Sequence, residues 1–311
     1  MISLYKIVKK VYYKLKYEYD LIKDYPTRYY DKLGIEIVNE RQLCKIISTA
    51  LAEEKPLCIG KIGGSEKNAI AAWYFGIESV RKKSYKQLCE CAGFFPINYN
   101  EREMEKYFIE QIEAIKQVDI LQTYPKIYEE IFLKKYAKSS IKRCLHLGTW
   151  MLKEPWTKEL TDKKVLVISP FTYSIEKQYG RRKKLYKSSD YLPEFQLILC
   201  KAVQSIGGRN DEGFSSWFEA LEYMYTKAMS HDFDIALIGC GAYSLPLAAR
   251  LKKAGKIAIH LGGDLQMMFG IKGSRWRNVE EALQIYNDYW VFPDESEIPK
   301  DYKKVEGGCY W

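Results

Sequence analysis

The run Asp234-Ile-Ala-Leu-Ile-Gly-Cys-Gly-Ala-Tyr-Ser244-Leu-Pro246 restricts what this chain can fold into more than any other segment. Its four consecutive apolar residues leave no polar face, which suits a strand buried on both sides. Gly239 and Gly241 then allow a tight turn, and Pro246 fits the first turn of a helix, where a missing N–H is tolerated. Strand, glycine turn and helix in this order make half of a parallel βαβ unit. Such a turn brings backbone N–H groups and the positive end of a helix close to a bound phosphate or sugar. Ser244 stands where a dinucleotide-binding fingerprint would carry its third glycine.

The flanking sequence repeats the alternation. Strands are expected at 165–169, 195–199 and 257–261. Ser216-x-x-Glu219 caps a helix to about residue 230, and residues 244–253 form a helix closed by Gly255. In the first half, Asn39 caps a helix to about residue 54, and residues 57–62 read as a buried strand. A helix over 66–75 stops at Gly76, Asn100-x-x-Glu103 opens a helix to about residue 117, and 118–122 is a short strand. The fold class is therefore α/β, with a Rossmann-like parallel sheet covered by helices and an N-terminal amphipathic helix. Residues 1–37 form that basic helix and a linker, and 38–311 the α/β domain, with a faint sub-boundary near 138–160.

Composition narrows the class of function. With 47% hydrophobic and 29% charged residues the chain can pack a core, which argues against disorder. A net charge of +9 suits an anionic partner. The lysines are spread along the chain without a helix-turn-helix, zinc-finger or RNA-binding signature, so nucleic acid is not the expected partner. Eight cysteines without a CxxC pair, beside three histidines, give no zinc spacing and point to reduced thiols in the cytoplasm. No apolar run approaches the roughly 18 residues of a membrane span, and no signal peptide is evident. Within 2–17, Leu4, Val8, Val11 and Leu15 make a helical stripe amid Lys6, Lys9, Lys10, Lys14 and Lys16. That stripe suits peripheral contact with the inner membrane face or packing on the protein's own body.

A second strand-to-helix bend carries Lys61-Ile-Gly-Gly-Ser-Glu66. Gly63 and Gly64 let a nucleotide approach the backbone, Ser65 can cap the helix, and Glu66 can meet a sugar hydroxyl or a metal. Because ligands collect at the carboxyl ends of parallel strands, two such bends in one chain say more than either alone.

The pairing of Lys61–Glu66 with Asp234–Gly241 and with His260-Leu-Gly-Gly-Asp264 resembles bacterial glycosyltransferases of the GT-D fold. In that family an early motif of the Arg-Phe-Gly-Asp-Gly-Glu type supplies an Asp-x-Glu pair near the metal and the donor diphosphate. A late strand, glycine turn, helix and strand complete the site. The closing Val305-Glu-Gly-Gly-Cys-Tyr-Trp311 resembles tails of proteins from capsule and lipopolysaccharide clusters. The resemblance implies transfer of a sugar from a nucleotide-linked donor, UDP-linked by expectation, to a glycan or lipid-linked acceptor in surface polysaccharide synthesis. Nucleotide-sugar contacts are expected from Lys61, Gly63, Gly64, Ser65, Gly239, Gly241, Ser244, Gly262 and Gly263, and Ser169, leaving a strand end, can contact the base or ribose.

One departure matters: Gly64 replaces the family's aspartate. A lone Glu66 is a poor site for Mg²⁺ or Mn²⁺, which need several oxygen ligands. Arg181, Arg182, Lys183 and Lys184, on an expected loop after a strand, offer a cationic clamp for a leaving diphosphate instead. The base that deprotonates the acceptor is sought first in Glu66 and Asp264, then in Glu219 and His260. Glu219 also has a purely structural use as the third helical residue of a capping box. The alternative reading is an NAD(P)-dependent oxidoreductase or epimerase, with Gly239-x-Gly241 and Asp264 about 25 residues on as the ribose-binding arrangement. It lacks the third glycine and any Tyr-x-x-x-Lys set.

Overall fold

The computed structural model describes Tyr5 and residues 7–9, 11–12, 33–123 and 129–311. Tyr5, Ile7, Val8, Lys9, Val11 and Tyr12 are helical; the rest of the expected amphipathic stretch, Leu4 and Leu15 included, lies outside the described residues.

Seven parallel strands among the described residues form one sheet, in the order β3-β2-β1-β7-β6-β4-β5. They are β1 (Leu57–Gly60), β2 (Ile120–Gln122), β3 (Lys142–Cys144), β4 (Lys164–Ser169), β5 (Gln196–Lys201), β6 (Ile235–Ile238) and β7 (Ile257–His260). The central register sets Ile59 beside Ile259, Ile238 beside His260, and Val167 beside Leu237. Strands before and after residues 138–160 belong to this same sheet.

The helices are α1 (Glu40–Ala52), α2 (Gly64–Phe75), α3 (Glu78–Ala92), α4 (Glu101–Gln117) and α5 (Glu129–Tyr136), followed by α6 (Thr172–Gly180), α7 (Trp217–Met229), α8 (Ser244–Lys253), α9 (Asp264–Met268) and α10 (Glu280–Ile285). Local signals start several of them. Asn39 and Gln42 form a reciprocal capping box, with Gln42 N–H donating to Asn39 Oδ1 at 3.0 Å and Asn39 N–H to Gln42 Oε1 at 2.8 Å. Gly76 and Gly93 close α2 and α3 in the left-handed conformation.

Successive strand residues point to opposite faces, so the sheet divides two cores. Leu166, Ile168, Ala236, Ile238 and Ala258 pack with α2, α3, α4, α7 and α8 through Ile70, Leu88, Tyr107, Trp217 and Leu247. On the other face Val165, Val167, Leu237, Ile257 and Ile259 meet Ile47 of α1, Trp156, Ile175 of α6, Met267 of α9 and Trp311. Burial on both faces explains why these strands are apolar throughout rather than alternating.

The same division opens the molecule at one edge. The chain leaving β1 and β6 passes to the first face, whereas the chain leaving β4 and β7 passes to the second. Because these strands lie side by side in the order β1-β7-β6-β4, neighbouring loops part in opposite directions and leave a crevice at the carboxyl ends.

The basic run does not take the position expected from the sequence. Residues 181–184 do not follow a strand, because α6 intervenes after β4. Its nine residues carry the basic run about 13 Å back along the sheet from the strand end, at 1.5 Å per residue.

Candidate functional site

The crevice holds a cavity of about 450 Å³, within the usual range for small-molecule sites. Both glycine bends line it: Lys61, Gly63, Gly64, Ser65 and Glu66 after β1, and Gly239 and Gly241 after β6. Ser169 at the end of β4 and His260, Gly262 and Gly263 after β7 complete the strand-end contribution. Gly239 is required by space, since a Cβ there would stand 2.7 Å from the Gly262 carbonyl oxygen. Gly63 has a comparable role: a Cβ would lie 2.6 Å from the Glu66 carboxyl carbon, so the Glu66 side chain folds back over the bare backbone of the bend.

Lys61 and Asp264 are brought together from opposite ends of the sequence, with Nζ 2.7 Å from Oδ2. Trp150 Nε1–H donates to the other oxygen of Asp264 at 3.0 Å. Both oxygens of Asp264 are thus engaged, and Asp264 meets the cavity only through the lysine it holds. His260 is buried at the end of β7 with Nδ1 3.4 Å from the Ile238 carbonyl oxygen. Burial, reinforced by the Lys61 ammonium, pushes its pKa down to about 3, so the ring is neutral at physiological pH. Burial also pushes the Cys240 thiol up to about 12, which leaves it a packing group rather than a thiolate nucleophile.

Several residues singled out in the sequence stand elsewhere. Glu219 is exposed at the start of α7, where its carboxylate accepts from Ser215 N–H at 2.6 Å and Ser216 Oγ accepts from Glu219 N–H at 3.2 Å. The Ser215 hydrogen bonds hold its carboxyl below the usual carboxylate range, and it does not line the cavity. Nor do Arg181 and Arg182; Arg182 pairs with Glu194 at 2.5 Å and lies over the Tyr179 ring. Ser244 is buried behind the β6 bend, its Oγ accepting from Cys240 N–H at 2.8 Å.

Other lining residues carry no local motif. Arg275, Glu306, Tyr310 and Trp311 form one wall, because the chain beyond residue 304 folds back over the loop after β7. Tyr310 and Trp276 pack where a Gly263 side chain would be, at 3.0 and 3.3 Å from its Cβ position. Opposite, the end of α3 contributes Gln87 and Cys91, and Ser205 is tied to Gly93 and to the Tyr243 hydroxyl. Gly307-Gly308 ahead of Tyr310 and Trp311 was the available signal for a turned-back tail, but its destination depends on long-range docking.

Among the described residues no three His, Cys, Asp or Glu side chains gather closely enough to hold a metal ion, and the bend after β1 carries Gly64 two positions before Glu66. No helix among the described residues is long and apolar enough to cross a membrane.

No protein-family model matches the chain, and no curated protein matches it significantly. Among solved structures the chain is similar to one of domain of unknown function 1792, described as having a distinct glycosyltransferase fold, at 11% identity over 88% of this chain and 95% of that one, with a TM-score of 0.43. A selenomethionine-substituted structure of that domain gives 11% identity, 88% and 95% coverage and a TM-score of 0.40. A protein described as a new glycosyltransferase of the same domain type from Streptococcus sanguinis gives 11%, 87% and 97%, with a TM-score of 0.38. At these scores the architecture of the present chain rests on its own sheet order and helices.

Proposed function

We propose that this chain is a glycosyltransferase that moves a sugar from a nucleotide-linked donor, UDP-linked in the first instance, to a glycan or lipid-linked acceptor of a bacterial surface polysaccharide. The single observation carrying the reading is that both glycine bends and Glu66 line one cavity at the carboxyl ends of the central strands. Backbone N–H groups of the β1 bend suit a diphosphate, those of Gly239 and Cys240 in the β6 bend being given to the Ile168 carbonyl and to Ser244 Oγ, and Lys61, held by Asp264, adds a fixed positive charge. In transfer, Glu66 takes the proton of the acceptor hydroxyl as that oxygen bonds to the sugar anomeric carbon. The bond from that carbon to the diphosphate breaks, and its electron pair leaves with the phosphate oxygen beside the cationic groups. Asp264 acts by positioning Lys61, since its own oxygens are already engaged.

A panel of UDP-, GDP- and CMP-sugars tests this by calorimetry and by release of the nucleoside phosphate. One donor should bind and turn over, and Glu66→Gln should cut turnover by about a hundredfold or more with donor affinity nearly kept. Absence of binding across the panel, or full activity in Glu66→Gln, would overturn it.

A further inference from the structure

Among the described residues three cations line the cavity, and each has a carboxylate partner. Lys67 and Glu129 form a buried pair with side chains 1% and 0% exposed. Lys61 and Asp264 are 12% and 13% exposed. Arg275 and Glu306, with Nη2 2.6 Å from Oε2, are 38% and 55% exposed. Breaking a desolvated pair strands a charge away from water, whereas an exposed pair exchanges its partner at little cost. Arg275 is therefore the cation of these three that an incoming anion can capture most readily.

The guanidinium is also held ready without Glu306. Its Nη1 donates to the Tyr310 hydroxyl at 3.1 Å, and it lies 4.6 Å from the centre of that ring. Arg275 N–H donates to the Cys309 carbonyl oxygen at 2.8 Å. The tail bearing Tyr310 is fixed separately, by Gln266 Nε2 donating to the Tyr310 carbonyl at 2.8 Å and Ser274 Oγ to that of Trp311 at 2.5 Å. Glu306 itself sits at φ +47°, followed by Gly307 and Gly308 at +73° and +88°. A side chain in this left-handed run is disfavoured relative to glycine, so Glu306 presents its carboxylate to Arg275 at a conformational cost.

We propose that Arg275 binds a phosphate of the cavity's ligand, and that Glu306 is a resident carboxylate holding that position until the phosphate displaces it. The planar fork of a guanidinium fits phosphate oxygens as well as it fits a carboxylate, and a phosphate brings more charge. The exchange is between anions only; no covalent bond changes. This rests on the reading of the cavity as a site for a phosphate-bearing donor, but not on sugar transfer.

The test is calorimetric titration of the full chain with inorganic pyrophosphate and with UDP. Glu306→Gln should tighten pyrophosphate by about threefold to fivefold, the scale of one exposed ion pair. Arg275→Ala should weaken it by about tenfold or more, with Arg275→Lys between the two. Thermal melts check that each variant is folded, and Glu306→Gln keeps the side-chain shape if Arg275→Ala does not fold. Unchanged or weaker binding in Glu306→Gln, unchanged binding in Arg275→Ala, or no pyrophosphate binding by either wild type or Glu306→Gln overturns the proposal. Arg275-dependent binding without sugar transfer would defeat the function proposed above and leave this one standing; transfer with pyrophosphate binding insensitive to both substitutions would do the reverse.

Discussion

His260 shows how one position sets both the electrostatics of the cavity and a stability cost. It ends β7 beside Ile238, and its buried ring is held neutral, with a pKa near 3 against an ordinary value of 6.5. The unfolded chain protonates this ring as pH falls below about 6.5, while the folded chain does not until about 3. The unfolded state then binds the extra proton, so stability is full above that window and is lost as pH falls through it. Between about pH 7 and pH 5 the loss from His260 alone is about 2 kcal/mol. Denaturant unfolding of wild type and His260→Gln at both pH values checks this: the variant should lose less stability on acidification. An equal loss in both would show that the imidazole is not kept neutral by the fold. The same residue marks a limit of reading from sequence. A histidine at a strand end looks the same on paper whether it serves as a base or is walled in, and the deciding quantity is its burial beside Lys61 and the Ile238 carbonyl, which no local pattern encodes.

At the scale of the element, the β6 turn joins α8 to the rest of the site. Gly241 adopts φ +61°, and a Cβ there would approach the Ala92 carbonyl oxygen at 2.6 Å. Gly241→Ala therefore meets both left-handed strain and a backbone clash with the end of α3. The expected cost is about 2–3 kcal/mol, read as a lower melting temperature, together with weaker nucleotide binding because the bend must shift. Wild-type stability in that variant would mean the turn is not pinned by α3. This turn was legible in the sequence, as were the caps at Asn39, Asn100 and Ser216 and the apolar strands, because each is written in adjacent residues. Helices α3, α6 and α9 were not. The α3 sequence is largely polar and its buried face is small, with Tyr85 and Cys89 both donating to the Pro96 carbonyl of the loop that follows. The five residues of α9 are too few to show a period. Missing α6 is what sent the basic run 181–184 to the strand end in the sequence reading, although a helix of ordinary length already moves it away.

At the scale of the molecule, the cavity belongs to no single element. Among the described residues its floor comes from the ends of β1, β4, β6 and β7, one wall from α2 and α3 on the first face, and the opposite wall from the loop after β7, Arg275 and the tail on the second. The sequence disclosed the floor, since glycine bends after buried strands are local features, but not the tail wall, whose position depends on Gln266 and Ser274 holding Tyr310 and Trp311. A ligand that touches both walls stabilises the native chain as a unit and not one loop. Saturating nucleotide at about a hundred times its Kd adds about 2.7 kcal/mol, which for a chain of this length raises the melting temperature by about 4 °C. Amide exchange should locate that gain: residues 61–68, 239–243, 262–266 and 305–311 should gain protection together on adding UDP. The first two segments come from the bends and the last from the tail, so their joint response measures whether one ligand spans the crevice. Protection confined to the bends, with 305–311 unchanged, would separate the tail from the donor site and leave its wall to the acceptor.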